Sequence, residues 1–341
     1  MDETLNPNNG YYQRFTQLAK EFSMRSAGRW NKSKEMDYVN VLIGKWMPEN
    51  SQRVAMDSQP RLSGILDTVT STLAHGSGTR LPSEFYDKRG MAIMNRLVIE
   101  EWFSGYSESQ EYRALGIGSL LGDVVSRMIV SVNSGREKKS SLGKKVNGTT
   151  SSNNPSMATV MLALSGCHVI TLASILTSLG AFKFETWPPF TSHITIELFE
   201  KFEDSDLTAL KMDETSFPAR PVQNVSINDR PRQSTQGGHF MDEKRNIESI
   251  TTIGRKKFNS LHSSERSQLD GYYVRLLFNG QPLTIPGCKA SGRHLDGDES
   301  FCTLEAFKVI VDKFTPLNWK KDCWSNLDNP AIPTKPEPAG Y

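Results

Sequence analysis

The sequence is poor in cysteine and has no strong excess of charge of either sign. Its four cysteines among 341 residues are not spaced like the paired Cys-x-x-Cys halves of a zinc knuckle, so no metal site is predicted. The 40 basic and 38 acidic residues leave a formal net charge of +2. This balance gives no electrostatic reason to expect nucleic acid or a membrane surface as the main partner. Partners must therefore be inferred from individual sites.

The few cysteines are unevenly placed. Cys288, Cys302 and Cys323 lie near the end of the chain, and Cys167 lies in an apolar stretch. We expect a disulfide between Cys288 and Cys302 if the protein meets an oxidising compartment. The alternative is that these residues are small buried or idle thiols.

Long hydrophobic runs are also missing. Residues 1–9 contain no basic region followed by an apolar one, so no secretory signal is visible. Without a signal, the three Asn-x-Ser/Thr tripeptides, at Asn31, Asn147 and Asn224, are expected to be chance occurrences. The longest apolar stretch, residues 158–182, is interrupted by serines, threonines, glycines and His168, which predicts no membrane span. No glycine-rich loop ends in Lys-Ser or Lys-Thr, which excludes a P-loop.

Helical periodicity dominates the first 132 residues. Apolar side chains recur every three or four positions in stretches that begin at Tyr11, Met36, Leu62 and Phe85. They recur again from Leu120 to Val132. This spacing is typical of helices that bury one face, so it predicts a mainly helical lobe.

Local signals place two of these helix starts. Asp57 and Ser58 with Pro60 indicate the start of the helix that contains Leu62. Ser107 and Gln110 form a capping box ahead of the helix that ends near Val132.

A polar and basic segment, residues 133–156, follows the helical lobe. Its glycines, serines, asparagines and lysines predict a mobile surface loop. The alternative is a contact with a phosphate-rich partner, which the basic run from Arg136 to Lys145 would favour.

Residues 157–324 are predicted to form an α/β portion. Ala158 to Leu164 is a short apolar run typical of a buried strand, and Val169 to Leu179 has helical length and ends at Gly180. His193 to Phe199 alternates like another strand. Residues 203–268 are polar and predict a partly disordered excursion.

The last part of the chain carries the strongest short-range signals. Two strand-like runs, 272–278 and 281–285, flank Asn279-Gly280, which predicts a β-hairpin. The periodicity of Thr303 to Phe314 predicts a helix. The Pro-rich segment 325–341 is expected to be a tail.

Three stretches, in this order, resemble the histidine acid phosphatase family, and the likeness is to its fungal branch. The first stretch combines residues 164–172, Leu179-Gly180 and residues 187–198, and it looks like the strand, His-Asp turn, helix and return strand of the family. The others are residues 272–288 and residues 301–323. The resemblance implies an α/β fold with a phosphoglycerate-mutase-like core sheet flanked by helices and a helical lobe.

The same resemblance implies hydrolysis of phosphate monoesters through a phosphohistidine, without a cofactor. This chemistry needs a histidine nucleophile, cations that hold the phosphoryl oxygens, and an acid that protonates the leaving alkoxide. The family supplies the first two mainly from an Arg-His-Gly-x-Arg-x-Pro motif, which does not occur in this sequence. The nearest imitation contains His75 and Arg80, and a loop histidine is the favoured interpretation. Arg293-His294 matches the motif less well, because Leu295 follows.

His168 matches the histidine of the His-Asp turn, at the predicted start of a helix where an anion is favoured. It is the candidate phosphate-binding residue, and the alternative is a buried turn residue bonded to backbone. Val169 stands where the family has its acid, and a valine transfers no proton. We therefore expect a chain that lacks the nucleophile segment and is impaired or inactive. The alternative is a noncatalytic binding or regulatory member of the family. Its expected ligand is a phosphate monoester or phosphate.

Overall fold

The computed structural model describes residues 12–142, 162–182, 186–201 and 252–341. Within these ranges, helices and one antiparallel sheet pack together, which is consistent with the expected α/β class. The predictions for residues 143–161 and 202–251, including most of the predicted polar excursion, lie outside the described residues.

Four helices build the first lobe where apolar periodicity predicts them. They are α1 (Gln13–Trp30), α2 (Lys34–Ile43), α3 (Leu62–His75) and α4 (Lys88–Glu108). Ser33 caps α2, since its side chain accepts a hydrogen bond from the Met36 amide at 3.1 Å.

A second helical stretch follows without a loop. It consists of α5 (Gln110–Arg113), a π-helical segment at Ala114–Gly118 and α6 (Ser119–Leu142). The predicted capping box at Ser107 is wrong, because Ser109 is the residue whose side chain caps α5, through the Tyr112 amide. The predicted loop is also wrong for residues 133–142, because α6 continues through them.

This stretch is apolar enough to resemble a membrane span. Gln110–Arg136 has the length and hydropathy of a spanning helix, but 56% of its apolar window is buried inside the protein. A core helix has the same composition, so the feature is weak support for a membrane contact. It is not the stretch at residues 158–182, which the sequence analysis identified as the longest apolar stretch.

The helix after His168 forms as predicted, but the strand before it does not. Helix α7 (Val169–Ser178) is followed by Gly180, whose φ of +66° suits the end of a helix. Residues 162–164 of the predicted buried strand are exposed and have no strand structure, with Leu164 86% exposed. Apolar composition indicated burial here, but within the described residues no neighbour covers these side chains.

The sheet contains β1 (Ile194–Glu200), β2 (Tyr272–Phe278), β3 (Gln281–Leu283), β4 (His294–Leu295) and β5 (Asp298–Thr303). Its order is β1-β2-β5-β4, and β3 pairs with β2. Asn279 and Gly280 both have positive φ, as a two-residue hairpin turn requires, so the predicted hairpin is confirmed.

Short helices complete the fold. They are α8 (Thr252–Arg255), α9 (Ser263–Arg266), α10 (Leu304–Asp312) and α11 (Trp319–Asp322). Helix α10 confirms the predicted helix. The predicted excursion is wrong for residues 252–268, which are ordered because Lys308 and Asp312 of α10 bind their backbone.

The C-terminal segment is docked and is not the free tail that its prolines suggested. Arg14 of α1 is fully buried and donates to the carbonyl oxygens of Asn329 (2.8 Å) and Pro330 (3.1 Å). Farther along, the Gly287 amide donates to the Gly340 carbonyl. Backbone hydrogen bonds of this kind are independent of side-chain pattern, so no sequence signal predicts them.

Candidate phosphate-binding site

His168 lies immediately before α7, and its side chain is exposed. Its extended backbone (φ −84°, ψ 158°) is that of an N-cap residue, and its carbonyl accepts from the Thr171 amide at 3.0 Å. The side chain makes no capping hydrogen bond. The alternative of a buried turn histidine bonded to backbone is therefore wrong, and the imidazole is open to solvent.

The start of α7 could hold an anion in general terms. The first amides of a helix have no carbonyl partner within the helix, and the helix dipole places partial positive charge there. The residues before it, Leu162 to Cys167, are exposed and carry no charge. The local setting therefore supplies an imidazole and backbone amides, but no nearby cationic side chain from its own segment.

The residue after His168, where the resemblance implies an acid, is a valine. Val169 is the first residue of α7, and its side chain is partly buried. A carboxylate at this position would lie beside the imidazole along the chain. The isopropyl group can neither donate nor accept a proton.

The second histidine candidate, His75, lies on another part of the protein. It is the last residue of α3, whose apolar face belongs to the core of the first lobe, and its side chain is exposed. Arg80 places its guanidinium over the Tyr86 ring, 5.0 Å from the centroid. Among the described residues, no hydrogen bond or ion pair joins His75 or Arg80 to His168.

His294, and two residues in or beside β1, have structural contacts. His294 lies in β4, and its Nδ1 is 2.9 Å from the Cys288 carbonyl oxygen. His193 precedes β1 and is exposed, with its backbone amide bonded to Asn279. Glu197 of β1 accepts from Arg275 Nε at 2.8 Å.

Arg275 of β2 is held by contacts on both sides, and periodicity did not single it out. Its guanidinium lies 4.9 Å from the ring centroid of Phe199 and 4.8 Å from that of Phe301. These contacts with Glu197 and two aromatic rings belong to neighbouring strands. They assign Arg275 to holding the sheet together, and only the strand register reveals them.

The cysteines and possible metal ligands complete the description. Cys288 and Cys302 form a disulfide with a Cα–Cα distance of 5.2 Å, which ties the 3₁₀ turn at Pro286–Cys288 to β5. Cys323 is free and buried, and Cys167 is free and exposed. Within the part of the chain that the structure covers, no three His, Cys, Asp or Glu side chains are placed to hold a metal ion.

Comparison with known proteins gives one informative similarity. The chain is 30% identical, over 322 residues, to a protein of Schizosaccharomyces pombe named probable acid phosphatase. The match covers 94% of this chain and 59% of that relative, so the chain spans little more than half of the relative's length. No family model matches the chain. The similarity extends along nearly the whole chain.

Proposed function

We propose that this protein is a histidine acid phosphatase-like protein with a phosphoglycerate-mutase-like core, and that the 341-residue chain alone is impaired in hydrolysing phosphate monoesters. The observation that carries the family assignment is the similarity to a probable acid phosphatase over 94% of the chain. The three ordered sequence stretches named above support the histidine branch of that chemistry.

The proposal of impaired turnover rests on the surroundings of His168. Phosphoryl transfer to an imidazole requires cations around the phosphoryl oxygens and an acid at the leaving group. Loss of a general acid alone slows a reaction by roughly 10²–10⁴, whereas loss of the nucleophile and its cations removes the route. Val169 occupies the acid position, and the sequence contains no Arg-His-Gly.

Within this proposal, His168 contacts the phosphate group of a monoester and does not attack it. An exposed N-cap imidazole can donate a hydrogen bond to an anion, and the first amides of α7 can add to that contact. The expected ligand is a phosphate monoester or inorganic phosphate.

The test is hydrolysis of an aryl phosphate by the purified chain between about pH 3 and 8, where imidazole and carboxyl groups titrate. His168→Ala is the variant, and His193→Ala is the matched control because His193 is also an exposed histidine that precedes a regular element. We expect no turnover from any of the three proteins, each shown to be folded by circular dichroism. Turnover that disappears only in His168→Ala would refute the proposed impairment.

The second candidate function is that of a noncatalytic binding protein. The observation that favours it is the open imidazole at α7 without an acid beside it. Titration with inorganic phosphate, followed through the His168 ring resonances, distinguishes the two. Phosphate binding that His168→Ala abolishes, without turnover, would favour the binding protein. Transcripts with upstream sequence encoding Arg-His-Gly-x-Arg-x-Pro would favour the enzyme.

A further inference from the structure

A buried carboxylate joins three helical elements at one point in the first lobe. Glu101 of α4 has a side chain that is 3% exposed. One of its oxygens, Oε1, accepts from the Ser23 hydroxyl of α1 at 2.9 Å and from the guanidinium of Arg61, the residue before α3. Arg61 Nη2 also donates to the Ser23 hydroxyl at 2.9 Å. The three side chains therefore form a closed triangle.

Arg61 and Glu101 differ in solvent exposure, and the two oxygens of Glu101 differ in their hydrogen bonds. The Arg61 side chain is 47% exposed, so its own guanidinium stays hydrated if it leaves the pair. The second carboxylate oxygen of Glu101 is buried, and no group in the described ranges forms a hydrogen bond with it. Arg61 is thus the cation that compensates a carboxylate which cannot itself reach water.

The charges that face Glu101 are few. Arg61 attracts the carboxylate, Asp57 of the preceding connection repels it, and Tyr112 of α5 faces it with a neutral hydroxyl. Arg25 with Glu108, and Arg29 with Glu100, form separate ion pairs between α1 and α4. Desolvation by burial raises the pKa of Glu101, against the lowering effect of Arg61 and Ser23.

We propose that Glu101 and Arg61 form an acid-released latch that holds the start of α3 against α1 and α4. At neutral pH, departure of Arg61 would leave a buried charge without compensation, which is strongly unfavourable. Once Glu101 is protonated, Arg61 can leave without stranding a charge. The connection before α3 and the first turn of α3 then open more readily.

The sign of the global effect differs from that of the local one. Because the folded-state pKa of Glu101 is raised, the folded protein binds this proton more tightly than the unfolded chain does. The contribution of this carboxyl to global stability therefore increases as the pH falls through its folded pKa. Local opening at α3 and global unfolding are expected to respond in opposite directions, which separates the latch from general acid denaturation.

The experiment is hydrogen exchange measured by mass spectrometry on the full chain between about pH 7 and pH 4, corrected for intrinsic exchange rates. In the wild type, protection at the start of α3 should fall several-fold as the pH is lowered, because loss of the Arg61 contact raises the pKa of Glu101 and protonation then favours the open form. Glu101→Gln should show low protection there at all pH values. Peptides from α10 serve as the internal reference.

A second variant keeps the test decisive if Glu101→Gln does not fold. Arg61→Met changes a half-exposed side chain and preserves most of its length, and Arg53→Met is the matched control because Arg53 is an exposed arginine of the same connection. Arg61→Met should remove the pH dependence at the start of α3, and Arg53→Met should leave it unchanged. Equal pH dependence in the wild type and in Arg61→Met would overturn the latch, as would protection in the wild type that does not change with pH.

Discussion

Lys308 of α10 offers the sharpest test of how the C-terminal part is held together. Its side chain is fully buried, and its ammonium group donates to the carbonyl oxygens of Gly254 (3.3 Å) and Lys256 (2.7 Å) and to Asp312 (3.0 Å). An ammonium has three protons, so the three acceptors saturate it. Lys308→Met should therefore strand Asp312 and two backbone carbonyls that connect α8 to α10.

The expected loss is about 3 kcal/mol in the free energy of unfolding. Removing one partner of a buried pair costs roughly 3–5 kcal/mol. The lower end applies because Asp312 keeps the Phe258 amide (2.7 Å) and the nearby Lys257. For 341 residues, with an unfolding entropy of about 2.1 cal/mol/K per residue, such a loss lowers the melting temperature by roughly 4 °C.

Thermal unfolding followed by circular dichroism measures this loss, and Lys313→Met is the control. Lys313 follows α10 and its side chain is exposed, so its replacement should change the melting temperature by less than about 2 °C. A melting temperature of Lys308→Met equal to that of Lys313→Met would refute the reasoning.

Three further predictions concern a thiol, an amide and two glycines. Burial raises the pKa of the Cys323 thiol to about 11, so only about one such thiol in a thousand is ionised at about pH 8. Alkylation at that pH should therefore label exposed Cys167 and spare Cys323. Mass mapping of the labelled peptides checks this. The side-chain amide of Asn31 accepts a hydrogen bond from Met56 N (2.9 Å) and donates one to Asp57 (2.8 Å). Asn31 should therefore carry no glycan even after passage through a secretory pathway. Asn31→Ala should lower the free energy of unfolding by about 1 kcal/mol, measured by urea titration. A Cβ at Gly118 would collide with the Phe314 carbonyl, whereas Gly28 has open space, so Gly118→Ala should lower the melting temperature and Gly28→Ala should raise it slightly.

Local signals predicted the elements whose cause is local. The hairpin follows from Asn279-Gly280, and α7 follows from an apolar run that ends at Gly180. All three residues adopt positive φ angles, which most other residues avoid. The docked C-terminal segment has no such signal. It is held by Arg14, which is more than three hundred positions away in the chain, and an arginine in a helix pattern looks like a surface residue.

The candidate site shows the same division. A resemblance could place His168 at the start of a helix, since the surrounding pattern is continuous in sequence. The exposure of Leu162 and Leu164 was not predictable, because the apolar run by itself indicates a buried strand and burial depends on which neighbours reach it. The sequence also gave no indication that Glu101, in an apolar helix face, would pair with Arg61.

Three arginines that are paired with carboxylates bear on the proposed phosphate chemistry. Arg14 binds Glu111 at 2.7 Å, Arg61 binds Glu101, and Arg275 binds Glu197 between two aromatic rings. Each guanidinium is already neutralised by a carboxylate on a neighbouring element, so releasing it toward a phosphoryl group would leave that carboxylate unpaired. At neutral pH, none of these three arginines can therefore supply a cation to the proposed phosphate site without weakening the fold. Hydrolysis by this chain would require phosphoryl-binding cations other than these. Turnover that depends on His168 is therefore the outcome that most directly contradicts the proposed impairment.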